Sequence, residues 1–311
     1  MKLIRPAISL VLKNVLIIST LILCSLTCFA QGQPDDDVVR VNTDLVILNL
    51  TVTDRSGHYV PRLRPVDFKI YEDGKEIPSS AIATFSLQET PFASVVLLDS
   101  SGSMENRLSL ARSAVIRFLD GLRGEDVAAV FRFDTKIEQL QDFSSGRDLA
   151  PLAFGIKADG MTVLNDAIVQ ASLVLAQRPE KRKAIVVLSD GLDTHSKATT
   201  EKALDSALAV GASIYTVDMS ATEGSASRNP QSAAILRNFA EKSGARFVST
   251  PGGPALRDAF ASIAQELGHQ YTIAYRPVNR ARDGRWRTID VRFARDDLTV
   301  RTRKGYRAPK K

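Results

Sequence analysis

The sequence predicts an α/β fold, a doubly wound and mostly parallel sheet flanked by helices, inserted in a small β-sandwich-like unit formed by the N- and C-terminal strands. Three observations predict it. Between residues 92 and 268, short apolar runs alternate with segments whose apolar residues recur at three- and four-residue spacings. The flanking stretches, 39–91 and 269–311, read almost entirely as strands. Each flank is too small to be stable alone, so the two are expected to pair with each other.

The elements follow in order. Residues 1–30 carry Lys2, Arg5 and Lys13 with no acid, then an apolar run from Val15 that ends Cys28-Phe29-Ala30. This three-part pattern predicts a secretory signal peptide cleaved after Ala30. The apolar run is shorter than the ~20 residues a spanning helix needs, so no stable membrane span is expected after cleavage. Residues 31–38 contain Pro34 and three acids and read as a flexible leader. From Val39 to Thr53 the chain alternates, with Val46, Leu48, Leu50 and Val52 on one face. Phe68–Glu72 predicts a second strand closed by Asp73-Gly74, a hairpin turn, and Ile82–Leu87 a third.

Ser94–Leu98 ends in a continuous apolar run, as expected of a strand covered on both faces. Leu108, Ala111, Val115, Phe118, Leu119 and Leu122 predict the helix after it. Strands follow at 127–133, 184–188, 212–217 and 246–248, and helices at 161–175, 200–210, 233–242 and 256–267. The last part predicts strands at 270–275, 287–293 and 298–302, with Asp283-Gly284 as a hairpin turn between the first two.

Composition narrows the function. The net charge of +6 falls to +3 without the three leader cations, too weak a balance to imply nucleic acid. Both cysteines, Cys24 and Cys28, lie in the leader, so the mature chain relies on a packed core instead of disulfides. Export to the periplasm or beyond the cell is expected.

The chemistry gathers in three loops. Asp99-Ser100-Ser101-Gly102-Ser103 follows the first buried strand and precedes a helix. In an open α/β sheet, ligands bind at the carboxyl ends of strands. Three side-chain oxygens at alternate positions of one loop can converge on a cation, and carboxylate and hydroxyl oxygens suit Mg²⁺, Mn²⁺ or Ca²⁺. A second loop holds Asp159-Gly160-Met161-Thr162, and a third, Ser189-Asp190-Gly191, closes another buried strand. Taken singly, Ser103 reads as a helix cap and Asp190 as a turn residue. Taken together, Asp99, Ser101, Ser103, Thr162 and Asp190 supply two acids and three hydroxyls. Glu105 and Asn106 could form an adjacent cation site, although Glu105 also suits the first turn of a helix.

Other chemistries fit poorly. An aspartyl-phosphate phosphatase wants a second acid where Ser101 stands. The G-x-S-x-G elbow of a serine hydrolase and the phosphate loop of a nucleotide-binding protein do not occur. His58, His195 and His269 are scattered, and only His195 lies near Asp190 in sequence.

These residues resemble the metal-ion-dependent adhesion site of von Willebrand factor A domains, with D-x-S-x-S matched by Asp99, Ser101 and Ser103, the threonine by Thr162, and D-G by Asp190 and Gly191. The resemblance spans about residues 92–268. The flanks, Phe68–Lys75, Tyr271–Tyr275 and Arg303-Lys304-Gly305-Tyr306, resemble those of exported acidobacterial proteins of this type. The resemblance implies that Ser101 and Ser103 contact a bound Mg²⁺, or Mn²⁺ or Ca²⁺, with Thr162 and the two acids bound directly or through water. It also implies a non-enzymatic module whose cation meets an Asp or Glu carboxylate of a protein partner. Two rival readings are a structural envelope protein whose metal only stabilises the loops, and a metal-assisted hydrolase. The second lacks an evident general base.

Overall fold

The computed structural model describes residues 45–86, 90–146, 155–220, 230–249, 253–293 and 295–310. The leader expected at residues 1–30, the segment 31–38 and the start of the first strand lie outside the described residues. Among the described residues no helix is long and apolar enough to cross a membrane.

Residues 92–268 supply a six-stranded sheet. Its strands are β5 (Phe92–Asp99), β6 (Val127–Phe133), β7 (Ile137–Ser144), β8 (Arg182–Ser189), β9 (Ala212–Asp218) and β10 (Phe247–Ser249), in the order β10-β9-β8-β5-β6-β7. All neighbours are parallel except β6 and β7, which pair antiparallel. Among the described residues, five helices cover it: α1 (Leu108–Asp120), α2 (Leu164–Ala176), α3 (Thr200–Ala209), α4 (Pro230–Ser243) and α5 (Gly253–Gly268).

Strand alternation assigns the faces. Val96 and Leu98 of β5 pack with α1 and α5, through Leu108, Val115, Phe118, Phe260 and Ile263. Val95 and Leu97 pack with α2, α3 and α4, through Ile168, Leu204 and Phe239. Buried on both faces, β5 is apolar throughout apart from Ser94 and its last residue, Asp99. That pattern is what places Asp99 at the carboxyl edge of the sheet.

The flanks pair as the sequence predicts. One antiparallel sheet runs β13 (Leu298–Arg301), β1 (Val46–Asp54), β11 (Tyr271–Tyr275), β4 (Ile82–Ser86). The other runs β14 (Gly305–Arg307), β12 (Trp286–Phe293), β2 (Phe68–Glu72), β3 (Lys75–Glu76). Each sheet mixes N- and C-terminal strands. Their inner faces share one core, with Leu48, Leu50, Ile70, Ile273, Ile289 and Val291 among its members. The Asp73-Gly74 turn is as predicted: φ is 49° and 78°, and Glu72 faces Lys75 across the hairpin.

The expected hairpin between β11 and β12 does not form. Both edges of β11 are taken, by β1 and β4, while β12 joins β2 and β14 in the facing sheet. Asp283-Gly284 still turns the chain, but it pairs with the C-terminal segment through Lys310 and the Pro309 carbonyl.

A buried polar cluster joins the β-unit to the α/β unit. Glu266 of α5, 2% exposed, accepts hydrogen bonds from Tyr215 of β9 (2.7 Å) and Thr51 of β1 (3.2 Å). It also pairs with Arg246, at 3.2 Å, and with Arg301 of β13. Gln270 donates to both the Thr51 and Tyr215 hydroxyls.

Candidate metal centre

Strand β5 delivers Asp99 with no exposure to solvent. Its Oδ1 accepts the Ser101 N–H (2.9 Å) and the Ser101 hydroxyl (2.6 Å), and its Oδ2 accepts the Ser189 hydroxyl (2.6 Å). The Ser101 and Ser103 hydroxyls lie 3.2 Å apart. A line of oxygens thus leads from a buried carboxylate, past a buried hydroxyl, to Ser103 at the exposed surface.

The capping reading of Ser103 is not what the structure contains. The residues after Ser101 form a 3₁₀ turn, Gly102–Arg107, before α1 begins. The caps of these two elements are Ser101 and Arg107, and neither makes a side-chain cap hydrogen bond. The Ser101 hydroxyl turns to Asp99 instead, and the Ser103 hydroxyl lies against that of Ser101. Asp190 keeps part of its turn role, since its Oδ1 accepts the Leu192 N–H at 3.3 Å.

The three loops are laced together by main-chain bonds. Gly102 N–H donates to the Gly160 carbonyl (3.3 Å) and Asp159 N–H to the Ser100 carbonyl (3.0 Å). Thr162, 3% exposed, accepts at its carbonyl from the N–H groups of Thr194 and His195, and its own N–H donates to the Thr194 hydroxyl. The structure therefore links Asp99 to Ser101 and Ser101 to Ser103. Ser189 reaches from the third loop to Asp99, next in sequence to Asp190. Thr162 is tied by its backbone to Thr194 and His195, after the third loop, and makes no hydrogen bond to Asp99, Ser101 or Ser103. His195 contributes its N–H to that backbone web and has an exposed side chain.

Two groups at the site are additional to the five predicted. Ser189 bridges the Asp99 carboxylate and the Gly191 N–H (3.0 Å). Arg107 donates from Nη1 to the Ser103 carbonyl (3.2 Å) and stands 3.7 Å from Asp190 Oδ2. The sequence signal for Ser189 is its place at the carboxyl end of a strand adjacent to β5. For Arg107 there is none beyond its proximity in sequence to Ser103. Asn165, three residues after Thr162 and buried, leaves its amide oxygen without a hydrogen-bond partner.

Two glycines keep the third and second loops in place. Gly191 sits at φ 80°, where a Cβ would stand 2.6 Å from the Ser232 carbonyl oxygen. Gly160 sits at φ 77°, where a Cβ would stand 2.4 Å from the Thr135 hydroxyl. Gly191→Ala is expected to lower stability by at least about 2 kcal/mol, read from urea unfolding. An unchanged midpoint would show that the loop has room to shift.

Electrostatics fit a hard cation. Burial pushes the Asp99 carboxyl up to about 6, and the neighbouring Asp190 charge adds to the rise, against the lowering by its bonds to Ser101 and Ser189. Carboxylate and hydroxyl oxygens are the donor types that Mg²⁺ or Mn²⁺ accepts. Among the described residues no group of three or more His, Cys, Asp or Glu side chains is placed to hold a metal ion. A cation here would therefore depend on the hydroxyls as well as on the acids.

Residues 94–192 match the family model of the von Willebrand factor type A domain. No curated protein sequence matches the chain. Among solved structures, the chain is similar to an aerotolerance-related membrane protein from Bacteroides fragilis, with 19% identity, TM-score 0.47, and coverage of 57% of this chain and 98% of that one. It is similar to the vWF domain of the type V pili tip protein Mfa5 from Porphyromonas gingivalis, with 15% identity, TM-score 0.48, and coverage of 57% and 95%. A von Willebrand factor type A protein from Catenulispora acidiphila has 13% identity, TM-score 0.46, and coverage of 87% and 75%.

Proposed function

We propose, from the premise that this chain carries a von Willebrand factor type A domain, that it is an exported binding module which captures an acidic group of a protein partner through a divalent cation. Asp99, Ser101, Ser103, Thr162 and Asp190 would hold the cation. When bound, Mg²⁺ or Mn²⁺ supplies an electrophilic centre that prefers six oxygen ligands and keeps exchangeable waters. One Asp or Glu carboxylate of a partner can replace such a water.

The observation that carries this reading is the graded line of oxygens from buried Asp99 to exposed Ser103. It would give a cation a protected anchor and leave one side open to a partner. Around that opening, Gly102, Asp159, Gly160 and Met161 are exposed. The pinned loop backbone means that the opening does not have to be ordered when a partner arrives.

A hydrolase reading finds less support. The hydroxyls of Ser101 and Ser189 both donate to Asp99, and no imidazole takes part in these bonds. His269 stacks on Tyr59, centroids 4.8 Å apart, and His58 pairs with Asp54.

The test is capture from an envelope extract by the immobilised mature chain. Retention of a partner in Mg²⁺, its release by EDTA, and no retention by Asp190→Ala are expected. Equal retention in EDTA would instead favour a role in which metal only supports the loops.

A further inference from the structure

We infer that Arg107 is a specificity-determining residue of this site: a built-in positive charge that weakens cation binding and makes the cation-loaded site an acceptor for a single carboxylate. The inference rests on the proposed cation site and adds to it a charge absent from the five-residue motif.

Placement is the first argument. Arg107 ends the 3₁₀ turn that begins directly after Ser101. From there its Nη1 bonds the Ser103 carbonyl at 3.2 Å and stands 3.7 Å from Asp190 Oδ2. One guanidinium therefore connects the first loop to the third. The Asp190 side chain is only 6% exposed and that of Arg107 18%, so solvent screens their interaction less than it would a surface pair.

Charge is the second. Asp99 and Asp190 contribute two negative charges, and a divalent cation would cancel them. Such a site has little residual attraction for an anion. With Arg107 counted, the two acids, the cation and the guanidinium sum to +1, the charge that one carboxylate neutralises. The same guanidinium repels the incoming cation, because both face Asp190. Arg107 thus trades affinity for the metal against affinity for the acid that follows it.

A further feature separates this role from plain loop support. The contact with Asp190, at 3.7 Å, is a charge contact too long to be a hydrogen bond. The effect of Arg107 on Asp190 is electrostatic, separate from its bond to the Ser103 carbonyl, and a lysine can reproduce it.

The experiment is calorimetric titration of Mn²⁺ into the folded chain at low salt, for wild type, Arg107→Gln, Arg107→Lys and Asp99→Asn. Arg107→Gln is expected to bind Mn²⁺ on the order of tenfold more tightly than wild type. Arg107→Lys is expected to stay within about twofold of wild type, since the charge is kept. Added acetate is expected to strengthen Mn²⁺ binding to wild type and to do so far less in Arg107→Gln. Arg107→Gln binding no more tightly than wild type, with wild type and Asp99→Asn differing, would overturn the role of Arg107 alone. Wild type that binds no Mn²⁺ would overturn the cation site, and this inference with it.

Discussion

Asp99→Asn is expected to make the metal-free protein more stable at neutral pH while removing its response to Mg²⁺. In the folded chain the Asp99 carboxyl titrates at about 6, against 3.8 as a free side chain, chiefly because it is buried. The folded state thus holds this proton more tightly than the unfolded state. Below about pH 4 both states are protonated and the group costs nothing. As pH rises from about 4 to 6 the unfolded state ionises first, and stability falls. Above 6 the loss is constant. A rise of about two pKa units corresponds to roughly 3 kcal/mol, taken as an upper value. Asparagine has the same outline, can accept from Ser101 through its oxygen, can donate to a reoriented Ser189 hydroxyl through its nitrogen, and has no charge to desolvate. Urea unfolding in EDTA at pH 7.5 is therefore expected to show a gain of up to roughly 3 kcal/mol over wild type, shrinking toward zero at pH 4. In Mg²⁺ the order is expected to narrow or reverse, since only the wild type gains from the ion. A variant that is less stable than wild type in EDTA at pH 7.5 would contradict this account of Asp99.

The second large effect lies at the junction of the β-unit and the α/β unit. Glu266→Ala is expected to destabilise the fold by about 3–5 kcal/mol, because it leaves Arg246 and Arg301 without the carboxylate between them. Thr51 and Tyr215 also lose an acceptor. These partners come from both the β-unit and the α/β unit, so the loss is felt at their junction. Thermal or urea unfolding measures it. If the variant unfolded within 1 kcal/mol of wild type, on the order of a surface change, the cluster would not be what couples the two units.

Much of the architecture could be read from residue patterns, for identifiable reasons. β5, β8 and β9 are buried on both faces, and their continuous apolar runs need no partner to be recognised. β7 could not be read that way. Its apolar residues, Ile137, Leu140 and Phe143, recur every three positions instead of every two. The structure explains the spacing, since the β6–β7 ladder shifts register twice, between Ala128 and Val130 and between Val130 and Phe131. The β11–β12 hairpin failed for a different reason. Asp283-Gly284 is a sound turn, but β11 ends at Tyr275, eight residues earlier, and its edges already belong to β1 and β4.

The site divides in the same manner. Asp99, Ser101 and Ser103 sit in one short loop, so their convergence follows from local geometry. Ser189 and Arg107 reach the site through the tertiary arrangement of strands and turn, which spacing alone does not encode. The single-residue reading of Ser103 as a helix cap was also local, and it gave way because a 3₁₀ turn, and not α1, follows the loop. The electrostatic balance of the site depends on these residues as much as on the motif.

The most direct test is calorimetric titration of Mg²⁺ into the wild-type chain and into Ser101→Ala and Ser103→Ala, both of which leave the two acids and the loop backbone in place. One ion per chain is expected for wild type, with each serine variant weaker on the order of tenfold or more. Wild type that takes up no Mg²⁺, or serine variants that bind it as tightly as wild type, would contradict the claim that these loops form a cation site.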